Sequence, residues 1–198
     1  MNWLRRRLLP VGFGGGAIRA HTLLIAQKKE LGPEGQRLLA EGVPLAELAQ
    51  TQPGLWVPSG TEMRVVRDKV VTDDFCEDIV DTLQASVPAF SDYKYHHSGT
   101  GVVAEDVTDA ALGTPVEAAR VVGTQVDGAN AKEYKSIATI TYTGGYAITE
   151  HGLFNSAGAG GPPVVGGRLM DRTVFAAINV VETNAIEFTF TIAFTSGG

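Results

Sequence analysis

The chain has 198 residues, a length that suits one domain or one domain with an extended arm. Apolar residues make up 44% and charged residues only 19%, so it can bury a core and is no disordered tail. No apolar run approaches ~18 residues, which excludes a membrane-spanning helix, and the one cysteine, Cys76, excludes an internal disulfide or a multi-cysteine zinc site.

Residues 1–31 read as a basic N-terminal arm. They hold six basic residues and one acid, a net of +5, while residues 32–198 hold ten basic and twenty-one acidic ones, a net of −11. Such an asymmetry suggests an arm that docks on something acidic. Gly12 and Gly14–Gly16 place a flexible joint in its middle. Arg5–Arg7 followed by Leu8 resembles the start of a secretory leader, but Pro10 and the glycines interrupt the apolar stretch and Arg19 follows, so it is not read as one. His21–Ala26 suits a short strand or one helical turn. The residues expected to contact another chain are Trp3, Leu4, Arg5, Arg6, Arg7, Leu8, Leu9 and Arg19.

Residues 32–88 read as a helix-containing segment with one strand. Pro33 sits at a favourable first-turn position, and Leu38, Leu39, Leu45 and Leu48 can share a face, with Gly42 and Pro44 splitting the helix over 33–50. Glu62–Val71 reads as a strand. Thr72-Asp73-Asp74 then opens a short amphipathic helix over 73–85, with Phe75, Ile79, Val80 and Leu83 at helical spacing. Cys76, on that helix, is expected to be a buried structural thiol. Trp56 is expected to pack its loop onto its own domain.

Residues 89–198 read as a β-body. Candidate strands are Asp92–His97, Ala118–Val126, Tyr134–Thr143, Tyr146–Phe154, Arg168–Val181 and Ile186–Thr195. Gly144-Gly145 gives a hairpin signal between the third and fourth. In the last strand Ile186, Phe188, Phe190, Ile192 and Phe194 alternate with Glu187, Thr189, Thr191, Ala193 and Thr195, so one face should meet a core. The whole is a mainly β chain, expected as an antiparallel β-sandwich, jelly-roll or immunoglobulin-like, with an N-terminal extended arm and two short helices.

The chemistry-bearing candidates are few. His96 and His97 are neighbours on a strand and point to opposite faces, so one metal cannot easily take both; with Asp92 and His151 they are read as surface or strand-edge residues. Glu150 and His151 diverge in the same way, although one of them should face a polar layer or an interface. No HExxH, GxSxG, Walker or GxGxxG pattern occurs in its required context. No catalytic residue, metal or cofactor is expected.

One stretch carries a family resemblance. Ile148-Thr149-Glu150-His151-Gly152-Leu153-Phe154, a glycine loop, then Gly167-Arg168-Leu169-Met170-Asp171-Arg172-Thr173-Val174-Phe175, Ile178-Asn179-Val180 and the alternating last strand succeed one another. This resembles a β-module of structural proteins of tailed bacteriophages, over about residues 134–198; Tyr95–Thr114 is similar in type. The resemblance implies a virion protein without catalysis, with Leu153, Phe154, Leu169, Val174 and Phe175 in the core. The expected role is a capsid decoration (cement) protein that binds the assembled shell. The expected partners are the major capsid protein, other virion proteins and further copies of itself, rather than a membrane or nucleic acid. A tail, adaptor or fibre component is the alternative. A carbohydrate-binding β-sandwich, using Tyr93, Tyr95 and Tyr146, is a further one.

Overall fold

A computed structural model describes residues 18–83, 90–117, 119–161 and 164–196. Among them are ten strands, three α-helices and two short 3-10 turns. The strands form two five-stranded antiparallel sheets. In the first sheet the order is β2 (Trp56–Arg67), β1 (Ile18–Leu31), β10 (Ala185–Ser196), β7 (Glu133–Thr141), β6 (Thr124–Asp127). In the second it is β3 (Val70–Val71), β9 (Leu169–Val180), β8 (Tyr146–Phe154), β4 (Tyr95–Gly99), β5 (Val121–Val122).

Both sheets feed one core. Leu24, Ile140, Ile186, Phe188, Phe190 and Ile192 from the first sheet pack with Ile148, Leu153, Met170, Phe175 and Ile178 from the second. The expected inward face of β10 is buried from Ile186 to Ile192, and Phe194 is half-buried where the strand runs out of the core. Of the residues the resemblance placed in the core, Leu153 and Phe175 lie there. Phe154 and Leu169 are buried in a separate cluster with Leu112, and Val174 is only half-buried.

The C-terminal part of the expected arm is a strand. Residues 18–31 form β1, which lies between β10 and β2 and pairs with β10 over residues 18–29 and with β2 over residues 23–31. Leu24 and Ala26 are buried, whereas the basic residues pair at the surface: Lys28 with Glu62 at 3.3 Å and Lys29 with Glu187 at 2.5 Å. Lys28 and Lys29 are half-buried in these pairs, so the charge at 28–30 belongs to a paired strand and not to a free tail. Arg19 belongs to β1, exposed opposite Thr195, and so is not part of a detached arm. The expected contact residues Trp3–Leu9 lie outside the described residues.

The middle segment is not a separate unit either. Its expected strand is two: β2 completes the first sheet, the chain turns at Asp68 (φ 50°), and β3 joins the second. The expected 33–50 helix is split as read, into α1 (Pro33–Ala40) and α2 (Leu45–Thr51), with Gly42 at φ 92° between them. Leu48 and Trp56 pack there against Leu31, and the Trp56 indole N–H donates to the Thr183 carbonyl at 3.0 Å. Helix α3 (Asp73–Leu83) buries Phe75 but leaves Cys76 exposed, because positions 75 and 76 lie about 100° apart around a helix. The expected burial of the thiol is therefore wrong.

Two connections also differ from the sequence reading. β7 and β8 do not form a hairpin; Gly144-Gly145 carries the chain from one sheet to the other. The β9–β10 link crosses beside it, joined by hydrogen bonds between Tyr142 and residues 183 and 184. The expected single strand 118–126 is likewise divided at Gly123 into β5 and β6, one in each sheet. A Cβ at Gly123 would lie 2.5 Å from Ser136 Oγ and 2.7 Å from His96 Nε2, so only glycine lets the chain cross so close to those side chains.

Candidate functional site

Three histidines expected at the surface are buried: His96, His97 and His151 are each at most 2% exposed. β4 and β8 are neighbours with Ser98 opposite His151. That register brings His96 Nδ1 to 2.9 Å from His151 Nε2, and across to the first sheet His96 Nε2 is 2.8 Å from Ser136 Oγ on β7. The His151 ring stacks on Phe188, centroids 4.5 Å apart. His97, on the opposite face of β4 as strand alternation requires, donates from Nε2 to the Val116 carbonyl at 2.8 Å.

A serine, a histidine and a third group in hydrogen-bond succession is the geometry of an activated nucleophile. Here it has no access. Ser136, His96 and His151 are all fully buried and Gly123 closes over the serine. Burial holds His96 down to about pKa 3 and His151 well below the ordinary histidine value, His151 also being depressed by its neighbours His96 and His97. Both rings are therefore neutral at pH 7. His151 Nδ1 has no hydrogen-bond partner. A bare acceptor is cheaper to bury than an orphaned N–H. This favours the tautomers in which His151 Nε2–H donates to His96 and His96 Nε2–H donates to Ser136. The chain of bonds ties the two sheets together. Among the described residues no group of three or more His, Cys, Asp or Glu side chains is arranged to hold a metal ion.

The second polar cluster lies on the other side of the second sheet. Glu150, fully buried, accepts backbone N–H bonds from Gly101 (3.0 Å), Gly113 (3.0 Å) and Thr114 (2.7 Å). Arg172 on β9 meets the same carboxylate with Nε at 2.9 Å and Nη2 at 2.8 Å. The guanidinium also holds Asp109 at 2.9 Å and the Val103 carbonyl at 3.1 Å. The segment 100–117 is thus latched over the sheet, and Leu112 packs beneath it on Phe154 and Leu169. Its tip presents Val102, Val103 and Val107, 74%, 75% and 48% exposed. The sequence showed Glu150 as an odd charge in an apolar strand. Its partner Arg172 lies 22 residues away, and no spacing rule would have joined them. A further cation, Arg120, lies over the Phe154 ring at 3.6 Å and donates to the Ser156 and Gly166 carbonyls, which fixes the glycine loop to the body.

Of the aromatic set considered for sugar binding, Tyr93 is buried, its hydroxyl donating to Asp78 at 2.6 Å, while Tyr95 and Tyr146 are half-buried. No family model, curated protein or solved structure matches the chain.

Proposed function

We propose that the chain is a non-enzymatic structural protein of a tailed-phage particle, most simply a capsid decoration protein that clamps the assembled shell. The observation that carries the reading is the ordered run of residues 148–154, 167–175 and 186–195, which resembles a phage structural module. Those residues make β8, β9 and β10, the strands that supply much of the shared core. Two sheets over one core suit a β-sandwich of the jelly-roll or immunoglobulin-like kind.

The build of the molecule is consistent with a cladding role. Its buried polar groups fasten elements to one another: Ser136–His96–His151 joins the sheets and Glu150–Arg172 fixes a loop. That loop holds an apolar tip rigidly in solvent, the arrangement expected of a contact surface. Trp3, Leu4, Leu8 and Leu9, with Arg5–Arg7, would add a second contact, and partners would be the major capsid protein or another virion protein. Many weak contacts repeated by symmetry supply avidity. Immunogold labelling of purified particles tests the reading. Label spread over the head supports decoration, label confined to the tail moves the protein to the adaptor or fibre role, and unlabelled particles refute a virion function.

A further inference from the structure

Between α3 and the end of the first sheet lies an apolar groove of about 380 Å³, at the low end of the size of small-ligand pockets. Its walls include Phe75 and Ile79 of α3, Phe90, Tyr134 of β7, Met170 of β9, and Ile192 and Phe194 of β10. Phe90 is 39% exposed at its rim. It is continuous with the core, since Phe75, Met170 and Ile192 belong to both.

The described chain begins beside it. Ile18 pairs with Ser196, Ala20 with Phe194 and Thr22 with Ile192, so residues 1–17 join the body at the groove's own edge. We propose that Val11 and Phe13 of the same chain seat in this groove. Five residues, 13–17, span up to about 17 Å when extended. The five residues of β10 from Ser196 to Ile192 span four steps, about 14 Å, so the tether is long enough. Gly14, Gly15 and Gly16 allow the reversal of direction that the return requires.

Charge sets the path beyond. The first seventeen residues carry Arg5, Arg6 and Arg7 and no acid. α3 carries five acids and no base. Of these, Glu77 and the buried Asp78 already pair with Arg168 at 3.2 and 3.1 Å, which leaves the exposed Asp73 and the half-buried Asp81 on that face. With Phe13 seated, the arginines pass along this acidic face. A tether this short gives an effective concentration in the millimolar range, so the chain's own segment outcompetes a neighbour's. The inference concerns the isolated chain and does not rest on the virion reading.

Cys76 makes the test direct, being the only cysteine, exposed and adjacent to Phe75. A nitroxide placed on Cys76 of the full-length, isotopically labelled protein should remove most of the amide signal intensity of residues 11–13. A mixture of labelled chains without nitroxide and unlabelled chains with it should show no such loss. Phe13→Ser should restore the signals of residues 11–12 while the amides of β10 stay where they are. Full intensity at 11–13 in the doubly labelled sample overturns the proposal. So does loss in the mixture, which would mean a second copy's arm, or loss that survives Phe13→Ser.

Discussion

Glu150→Ala is the sharpest perturbation of the latch over the second sheet. The carboxylate accepts three backbone N–H groups and two guanidinium contacts, all within 2.7–3.0 Å, in a site with no solvent exposure. Removing it leaves Arg172, only 3% exposed, with Asp109 as its remaining anionic partner, whose own side chain is 25% exposed. It also strands the amides of Gly101, Gly113 and Thr114. Breaking a buried ion pair from one side costs about 3–5 kcal/mol. Orphaned amides that water cannot reach add to this, although the loop can lift and hydrate them. We expect a loss of about 4 kcal/mol in urea unfolding, with faster hydrogen exchange at those three amides before the rest of the sheet. Replacing both partners, Glu150→Leu with Arg172→Met, should recover much of the loss, because no uncompensated charge remains. A Glu150→Ala protein within about 1 kcal/mol of the parent would refute the latch, since the pair would then be solvated and no more than a surface bridge.

Three further outcomes follow from the same geometry. Phe190→Ala should cost about 3–5 kcal/mol, the range for a buried phenylalanine, and an unchanged unfolding temperature would contradict the facing of β10. His96, His97 and His151 all have pKa values lowered by burial, so the unfolded chain takes up protons below about pH 6.5 that the folded chain refuses. His96, held down to about 3, can remove about 1.4 kcal/mol per pH unit as pH falls from about 6.5 towards 4, and His97 and His151 act in the same direction. Asp171, raised to about 7 by burial, works in the opposite sense and offsets one of the three. Stability by chemical denaturation should therefore fall between pH 6.5 and 4, and a flat profile would contradict neutral buried histidines. Deleting residues 1–16 should leave the sheets folded by circular dichroism and weaken attachment to particles, and undiminished attachment would remove the arm from the contact.

The legible parts of the fold are those where local pattern and tertiary outcome coincide. β10 alternates because one of its faces meets the core, and the α1–α2 break falls where Gly42 and Pro44 forbid a continuous helix. β1 is legible only over His21–Ala26, as a short strand or a helical turn, because Gln27, Lys28, Lys29 and Glu30 look like a tail until Glu62 and Glu187 stand across from the lysines. Gly144-Gly145 marks a turn correctly, but a turn does not say whether the next strand returns to its own sheet. The burial of the histidines is not legible in the sequence, because a buried neutral imidazole differs from an exposed one only in what surrounds it, and Ser136 lies forty residues from His96. The same holds for Glu150 and Arg172, whose pairing is made by the β8–β9 register and the loop that crosses it.

The virion reading is tested most directly by the copy number of this 20.9 kDa chain in purified particles, measured by quantitative gel densitometry against the major capsid protein. A decoration protein repeats with the shell and should be present in hundreds of copies. About a dozen or fewer, the count that tail symmetry allows, would contradict the decoration role, and absence of the band would contradict a place in the particle at all.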